Sequence, residues 1–122
     1  MNAKVIQFDL EHLRMITGDD ADFMIEIMEM IQAESPEVVR DIKAYFERRE
    51  FDPLAKAAHK YKSSINILGN TEMIHLMKEM ELCSIAAEDP SAIEPMIGQL
   101  EEQVAGMLRW LQGALQELRA AA

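Results

Sequence analysis

Residues 93–118 read IEPMIGQLEEQVAGMLRWLQGALQEL, and their apolar positions recur at intervals of three and four residues. This spacing places the apolar side chains on one side of an α-helix, because a helix turns by about 100° per residue. The pattern predicts a helix that begins between Ser91 and Pro95, ends near Leu118 and packs against other helices. Its apolar seam consists of Ile93, Ile97, Leu100, Val104, Met107, Leu111, Ala114 and Leu118.

The rest of the chain shows the same helical spacing, interrupted by residues that commonly end helices. Four further helices are predicted, at about residues 9–17, 20–49, 53–68 and 71–87. Within the second, Ser35-Pro36 predicts either a kink or a restart with Ser35 as the helix cap. Gly69-Asn70 is expected to end the third helix, Thr71 to cap the fourth, and Glu88-Asp89-Pro90 to end it.

Short connections between long helices favour antiparallel neighbours. The fold class predicted is therefore all-α, an up-down antiparallel four-helix bundle with a short additional N-terminal helix. Residues 1–122 are expected to form one domain, since no linker or repeat divides them. Hydrophobic residues make up 49% of the chain and charged residues 28%, a composition that excludes a disordered protein.

The formal charge of −10 argues against nucleic acid and anionic membranes as partners, because such a surface repels both. No uncharged apolar run approaches the roughly 18 residues that a membrane span needs. Cys83 is the one cysteine, so the chain cannot form an internal disulfide, and a reducing cytoplasm is the expected location.

The third predicted helix places one histidine opposite its apolar stripe. When Tyr61 is set at the centre of the buried face, the stripe lies within about 60° of it and contains Leu54, Ala57, Ala58, Ser64, Ile65 and Leu68. His59 lies about 160° away, on the side that faces water. The simplest interpretation of such a residue is an ordinary surface histidine.

Two features of the surroundings favour a reactive histidine instead. The neighbours on the outer face are short, namely Ala55, Ser63, Asn66 and Asn70, and three lysines gather nearby, Lys56, Lys60 and Lys62. A neutral imidazole nitrogen is a nucleophile near neutral pH, and nearby ammonium groups disfavour the imidazolium. Lys62, at position i+3, can also reach a phosphoryl group on the ring. This chemistry suits phosphoryl transfer.

The stretch Ala58-His59-Lys60-Tyr61-Lys62-Ser63-Ser64, followed by Leu68-Gly69-Asn70, resembles the sequence pattern of histidine-containing phosphotransfer (HPt) domains. Residues 8–31 resemble the opening of that family. A looser match to its continuation is formed by Met73, Leu76, Met77, Met80 and Glu81. Three positions depart from the pattern: Tyr61 replaces a leucine, Ser63 a glycine and Asn70 an alanine.

The resemblance implies a phosphoryl carrier in a multistep two-component phosphorelay, without an ATP site of its own. A receiver-domain aspartate would donate the phosphoryl group to His59, through the ring nitrogen remote from the backbone, and a second receiver aspartate would accept it. Lys62 would neutralise the phosphoryl charge. The expected partner-binding residues are Ala55, Lys56, Lys60, Ser63, Asn66, Ile67 and Asn70. For Ile67, partial burial is an equally good interpretation.

The same resemblance leads us to expect no cofactor and no metal on this chain, because the magnesium ion would belong to the receiver. Expected partners are response-regulator receiver domains and a hybrid sensor kinase. The start at Met1 and the complete set of helices favour a free-standing carrier, which we expect to be monomeric.

Three other functions remain open at this point. A sensor-kinase dimerisation helix is disfavoured because Lys60, and not an acid, follows His59. A carboxylate-bridged metal bundle would use Glu72 and His75 at i, i+3 spacing, but the second such motif is missing. A helical adaptor with a degenerate site is the third, suggested by Ser63. His12 has no clustered partner and is expected on the surface.

Overall fold

The computed structural model describes residues 8–68, 70–86 and 90–121. Regular structure within these ranges is helical, which confirms the predicted all-α bundle with a short N-terminal helix. Its elements are α1 (Glu11–Thr17), α2 (Ala21–Glu47), α3 (Phe51–Ile67), α4 (Thr71–Ala86) and α5 (Ile93–Ala121), with a 3₁₀ turn at Pro90–Ala92 before α5.

Side chains and one glycine define the ends of several helices. Asp20 caps α2, since its Oδ1 accepts a hydrogen bond from the backbone N–H of Phe23 at 3.2 Å. Helix α1 ends at Gly18, whose φ of 62° is left-handed and costs glycine little. Asn70 caps α4, because its Oδ1 accepts from the N–H of Met73 at 2.8 Å. The predicted cap at Thr71 is therefore wrong by one residue.

Helix α2 passes through Pro36 without interruption, so the predicted restart at Ser35 is wrong. Buried residues before and after the proline, Ile31 and Ile42, pack into one core and hold both halves in one helix. The Ser35 hydroxyl donates to the carbonyl of Ile31 at 2.7 Å, and it accepts a hydrogen bond from the Tyr61 hydroxyl at 2.6 Å. Burial raises the pKa of Tyr61, which keeps that hydroxyl protonated and able to donate.

The observed helix bounds differ from the predicted ones by a few residues. Helix α3 begins at Phe51, so Pro53 lies in its first turn, where the missing N–H has no partner to lose. Helix α5 continues to Ala121, three residues beyond the predicted end. The predicted stops at Gly69 and at Glu88-Asp89 lie outside the described residues.

The core runs along the centre of the bundle and takes side chains from every helix. Tyr61 is the largest side chain that is fully buried, and α5 contributes a continuous seam of Ile93, Ile97, Leu100, Val104, Met107 and Leu111, as predicted. The last turns differ, because Leu115 is buried while Ala114 and Leu118 are half-buried. A gradual drift of the seam around a straight helix explains this, since 3.6 residues per turn does not match a strict seven-residue repeat.

The four long helices form a closed ring in which α2 contacts α3 and α5, and α4 contacts α3 and α5. Two ion pairs show that α2 and α5 are antiparallel: Lys43 lies 3.1 Å from Glu101, and Glu29 pairs with Arg119. Within the described part of the chain, no helix is both long and apolar enough to cross a membrane. This arrangement of the four helices leaves the outer side of α3 open to solvent.

Candidate functional site

His59 lies in the middle of α3 with 63% of its side chain exposed. Ala58 and Tyr61 on the same helix are completely buried, and they fix the rotation of α3 in the bundle. The helical spacing then directs His59 outward, away from the core. The predicted exposure of this ring is confirmed.

A glutamate from the neighbouring helix contacts the histidine. The Nδ1 atom of His59 lies 3.0 Å from Oε2 of Glu81, and Nζ of Lys62 lies 3.6 Å from Oε1 of the same carboxylate. Glu81 and Lys62 are largely covered, with 20% and 27% of their side chains exposed. The three residues form a His59–Glu81–Lys62 cluster between α3 and α4.

The cluster favours one of the two ring nitrogens as the reactive atom. An ionised carboxylate only accepts hydrogen bonds, so a neutral His59 ring that donates to Glu81 would carry its proton on Nδ1. The lone pair then belongs to Nε2, the nitrogen remote from the backbone. The contact of 3.0 Å with the carboxylate also limits rotation of the ring. A neutral, oriented imidazole on an exposed helix face is a nucleophile for a partner that approaches from outside.

Sequence reasoning found Glu81 only as part of the family pattern and missed its contact with His59. Helical spacing within α3 cannot show a residue contributed by another helix. The sequence did contain one signal, the short connection between α3 and α4. Helix α3 ends at Ile67 and α4 begins at Thr71, so the two helices are adjacent and antiparallel. Counting outward from this turn places His59 opposite the turn of α4 near residues 79–81, which includes Glu81.

The three lysines predicted near the site differ in their exposure to solvent. Lys56 is exposed and pairs with Asp52 of its own helix at 3.3 Å, while Lys60 is exposed on the side of α3 that faces α2. Lys62 is half-buried against Glu81. The expected lysines are therefore joined by an acid, since the contact recorded for the ring is with the Glu81 carboxylate.

The small neighbours of His59 divide into exposed and buried residues. Ser63 and Asn66 are exposed, and Ile67 is half-buried against the core. Ala55 and Asn70 were expected on the open face, but they are only 5% and 4% exposed. Ala55 lies on the flank of α3 that faces α4, the flank on which Lys62 contacts Glu81, and a methyl group there is easily covered. Asn70 turns inward to cap α4.

The remaining histidines lie apart from this cluster. His12 is exposed on α1, and His75 on α4 is exposed with its Nε2 atom 3.6 Å from Oε1 of Glu79. Among residues 8–68, 70–86 and 90–121, no three histidine, cysteine, aspartate or glutamate side chains come together as metal ligands. Glu72 and His75 line an open cleft between α4 and α5.

Comparison with known proteins gives one family. The family model described as "Hpt domain" matches residues 26–121, which include the His59–Glu81–Lys62 cluster. The chain belongs to the Hpt domain family. Its role is therefore that of a phosphotransfer domain in two-component signalling.

A solved structure supports the fold of this Hpt domain. The HPT domain from the Hpt sensor hybrid histidine kinase of Shewanella is similar, with a TM-score of 0.78, and the similarity covers 93% of this chain and 97% of that one. Sequence identity is 15%, so this similarity shows a shared fold. No curated protein sequence matches the chain.

Proposed function

We propose that His59 of this Hpt domain accepts a phosphoryl group from a receiver-domain aspartate and passes it to the aspartate of a second receiver. One observation carries the proposal: the ring is exposed, yet its Nδ1 atom is held 3.0 Å from the Glu81 carboxylate. An ordinary surface histidine has no need of a partner from another helix. A nucleophile does, because the partner fixes both the tautomer and the orientation of the ring.

The transfer step follows from this tautomer. The Nε2 lone pair attacks the phosphorus atom of the aspartyl phosphate, the Nε2–P bond forms, and the P–O bond to the aspartyl carboxyl breaks. The aspartate leaves as a carboxylate with the electrons of that bond. Transfer to the second receiver is the same reaction in reverse. The Nδ1 proton stays on the ring throughout, bound to Glu81.

Glu81 and Lys62 have separate roles in this step. The imidazole ring gains positive charge as the Nε2–P bond forms, and the Glu81 carboxylate stabilises that charge through Nδ1–H. Lys62 lies one turn after His59 and is held close by Glu81, so its ammonium group can move from the carboxylate to the phosphoryl oxygens. The chain has no nucleotide site in this proposal, and magnesium would be bound by the receiver.

The surface that meets the receiver is the outer face of α3. Lys56, Ser63 and Asn66 are exposed there, Lys60 is exposed at the edge toward α2, and half-buried Ile67 adds apolar area. Ala55 and Asn70, which are buried, support this face from beneath and offer little contact of their own. The lysines give a cationic surface to a chain of net charge −10 and suit a partner whose reactive centre is an acidic residue.

We also propose that the domain works in the cytoplasm as a monomer, with receiver domains and a hybrid sensor kinase as partners. The unpaired thiol of Cys83 fits a reducing compartment. The strong negative charge opposes self-association, since two copies repel each other.

Phosphotransfer from a panel of phosphorylated receiver domains tests the proposal. Wild-type protein should acquire acid-labile label from at least one receiver, and His59→Gln, which keeps the size and polarity of the ring approximately, should acquire none. His12→Gln and His75→Gln are matched controls, because both histidines are exposed and lie outside the cluster. Labelling that persists in His59→Gln would disprove the assignment. Receiver binding without labelling would favour the adaptor function instead.

A further inference from the structure

Ser63 lies on α3 one turn after His59 and about 40° from it around the helix axis. It is exposed, as is His59. Helical side chains lean toward the N-terminus of their helix, so the hydroxymethyl group of Ser63 leans toward His59. Its hydroxyl is therefore within the reach of a group attached to the ring.

The buried serine and threonine hydroxyl groups in the helices of this protein are bound to the preceding turn. Thr17, Ser35 and Ser84 each donate a hydrogen bond to the carbonyl four residues earlier, and all three bonds measure 2.7 Å. Ser63 does not follow this pattern, and its side chain forms no hydrogen bond with any residue that the structure describes. Its donor is available to a ligand.

The phosphorylated ring would present such a ligand. A phosphoryl group has three strongly accepting oxygens and close to two negative charges. Lys62 provides one ammonium group, which also contacts Glu81 at 3.6 Å. Asn66 lies on the same face but two turns from His59, about 10 Å along the axis, which is too far for direct contact. Ser63 is an uncommitted donor one turn from the ring on the same face of α3.

We infer that the Ser63 hydroxyl donates a hydrogen bond to the phosphoryl group on Nε2 of His59 and so stabilises the phosphorylated form of the domain. The inference rests on the proposed function of His59. It assigns Ser63 a direct contact with the transferred group, beyond a place in the docking surface. A hydrogen bond that exists only in the phosphorylated state shifts the transfer equilibrium toward the carrier.

The first measurement uses phosphoramidate, a small donor that needs no receiver. Its P–N bond breaks, ammonia leaves, and a new bond forms between phosphorus and Nε2 of His59. The rate of hydrolysis of the phosphohistidine to histidine and inorganic phosphate is then followed by phosphorus NMR. Ser63→Ala should shorten the half-life by about threefold to tenfold, as expected for loss of a hydrogen bond to an anionic group near solvent. Ser63→Thr keeps the hydroxyl and should therefore have a half-life close to that of the wild-type protein.

Ser64→Ala is the matched control. Ser64 is the adjacent serine on the same helix, but it lies about 140° from His59 around the axis and is half-buried. Its loss should leave the half-life of the phosphohistidine unchanged. Equal half-lives for wild type and Ser63→Ala would overturn the inference, as would equal shortening by Ser63→Ala and Ser64→Ala.

The second measurement separates a hydrogen bond from a steric effect. If Ser63 only affected docking, Ser63→Ala and Ser63→Gly would change the forward and reverse transfer rates with a receiver by the same factor. The equilibrium constant would then stay the same, which would overturn the inference. A hydrogen bond to the phosphoryl group predicts the same shift in both variants, about threefold to tenfold toward the receiver.

These results also distinguish the inference from the proposed function. If wild-type protein takes label from a phosphorylated receiver but Ser63→Ala changes nothing, the proposed function stands and the role of Ser63 is wrong. If phosphoramidate labels His59 and no receiver does, the proposed relay function is wrong, while the half-life still decides the role of Ser63. Absence of label on His59 from both donors overturns both.

Discussion

Three side chains meet at the site: His59 and Lys62 from α3 and Glu81 from α4. Each supplies a property that the other two do not. The exposed ring is accessible but would be unoriented without Glu81, whose Oε2 lies 3.0 Å from Nδ1. The carboxylate is 20% exposed, and its charge is balanced by Lys62 at 3.6 Å. An acid of this kind favours ring orientation, and a nearby cation prevents the partly buried charge from being left unpaired.

Substitution of Glu81 tests this arrangement at the level of one residue. Glu81→Gln keeps an acceptor for the Nδ1 proton but loses the charge, and Glu81→Ala loses both. We expect phosphotransfer to slow in both variants and more in Glu81→Ala, by about tenfold, which corresponds to loss of one hydrogen bond to a charged group in the transition state.

The initial rate of label uptake from a phosphorylated receiver measures this effect. Glu79→Ala, an exposed glutamate of the same helix that contacts His75 instead, is the control. Uptake at the wild-type rate in Glu81→Ala would remove the carboxylate from the mechanism.

The sequence was sufficient to place His59, Lys62, Ser63 and Asn66 at their observed positions, because all four belong to one helix and follow its spacing. It could not show Glu81 as a contact, since that depends on how α3 and α4 pack against each other. The same limit explains the errors at Ala55 and Asn70. A position on the outer arc of a helix is exposed only when no neighbouring helix or turn covers it.

At the scale of the helices, a buried hydrogen-bond chain joins α2 to α3 beneath the site. Tyr61 donates to Ser35 at 2.6 Å, and Ser35 donates to the carbonyl of Ile31 at 2.7 Å. This hydrogen-bond chain crosses the turn of α2 that contains Pro36, which offers no N–H to the carbonyl of Gln32. It connects the proline-containing turn of α2 to the helix that presents His59.

Substitution of the two hydroxyls in this hydrogen-bond chain should lower the stability of the protein by different amounts. Tyr61→Phe removes the donor and leaves Ser35 bound to Ile31, at a cost of about 1 kcal/mol. Ser35→Ala leaves the Tyr61 hydroxyl buried without its acceptor and should cost about 1–3 kcal/mol. The double variant should be more stable than the sum of the single changes predicts, because the unpaired hydroxyl is gone.

Urea denaturation of the four proteins completes this double-mutant cycle. Strict additivity of the changes in unfolding free energy would show that the two hydroxyls are not coupled. The far-UV circular dichroism spectrum should be unchanged, since neither substitution changes the helix content.

Apolar spacing gave the existence and order of all five helices, and their ends to within a few residues. The sequence pattern gave wrong helix caps where a polar side chain could either cap a helix or take another position. Ser35 before Pro36 is a good helix cap in isolation, and burial of the flanking Ile31 and Ile42 made it an interior residue of α2. Asn70 and Thr71 are both good caps, and Asn70 takes that position.

At the scale of the whole molecule, a well-packed ring of helices carries a net charge of −10. The exposed pairs Lys43–Glu101 and Glu29–Arg119 join α2 to α5, but surface ion pairs of this kind contribute only about 0–1 kcal/mol each. Burial of the apolar seams provides the stability, and repulsion among the excess carboxylates opposes it.

Salt should therefore stabilise the protein. Raising the ionic strength from about 10 mM to about 150 mM shortens the screening length from about 30 Å to about 8 Å and weakens repulsion across the domain. We expect Tm to rise by a few degrees in sodium chloride. Arg119→Ala, which removes a cation and one ion pair, should show a larger rise; a fall in Tm with salt would mean that the ion pairs dominate.

The most direct test of the account is to identify the atom that receives the phosphoryl group. The domain, labelled with ¹⁵N at histidine, is phosphorylated by a receiver and examined by NMR for coupling between phosphorus and nitrogen. We expect coupling at Nε2 of His59, with the proton retained on Nδ1 beside Glu81. Phosphorus bonded to Nδ1 of His59, or to His12 or His75, would contradict it.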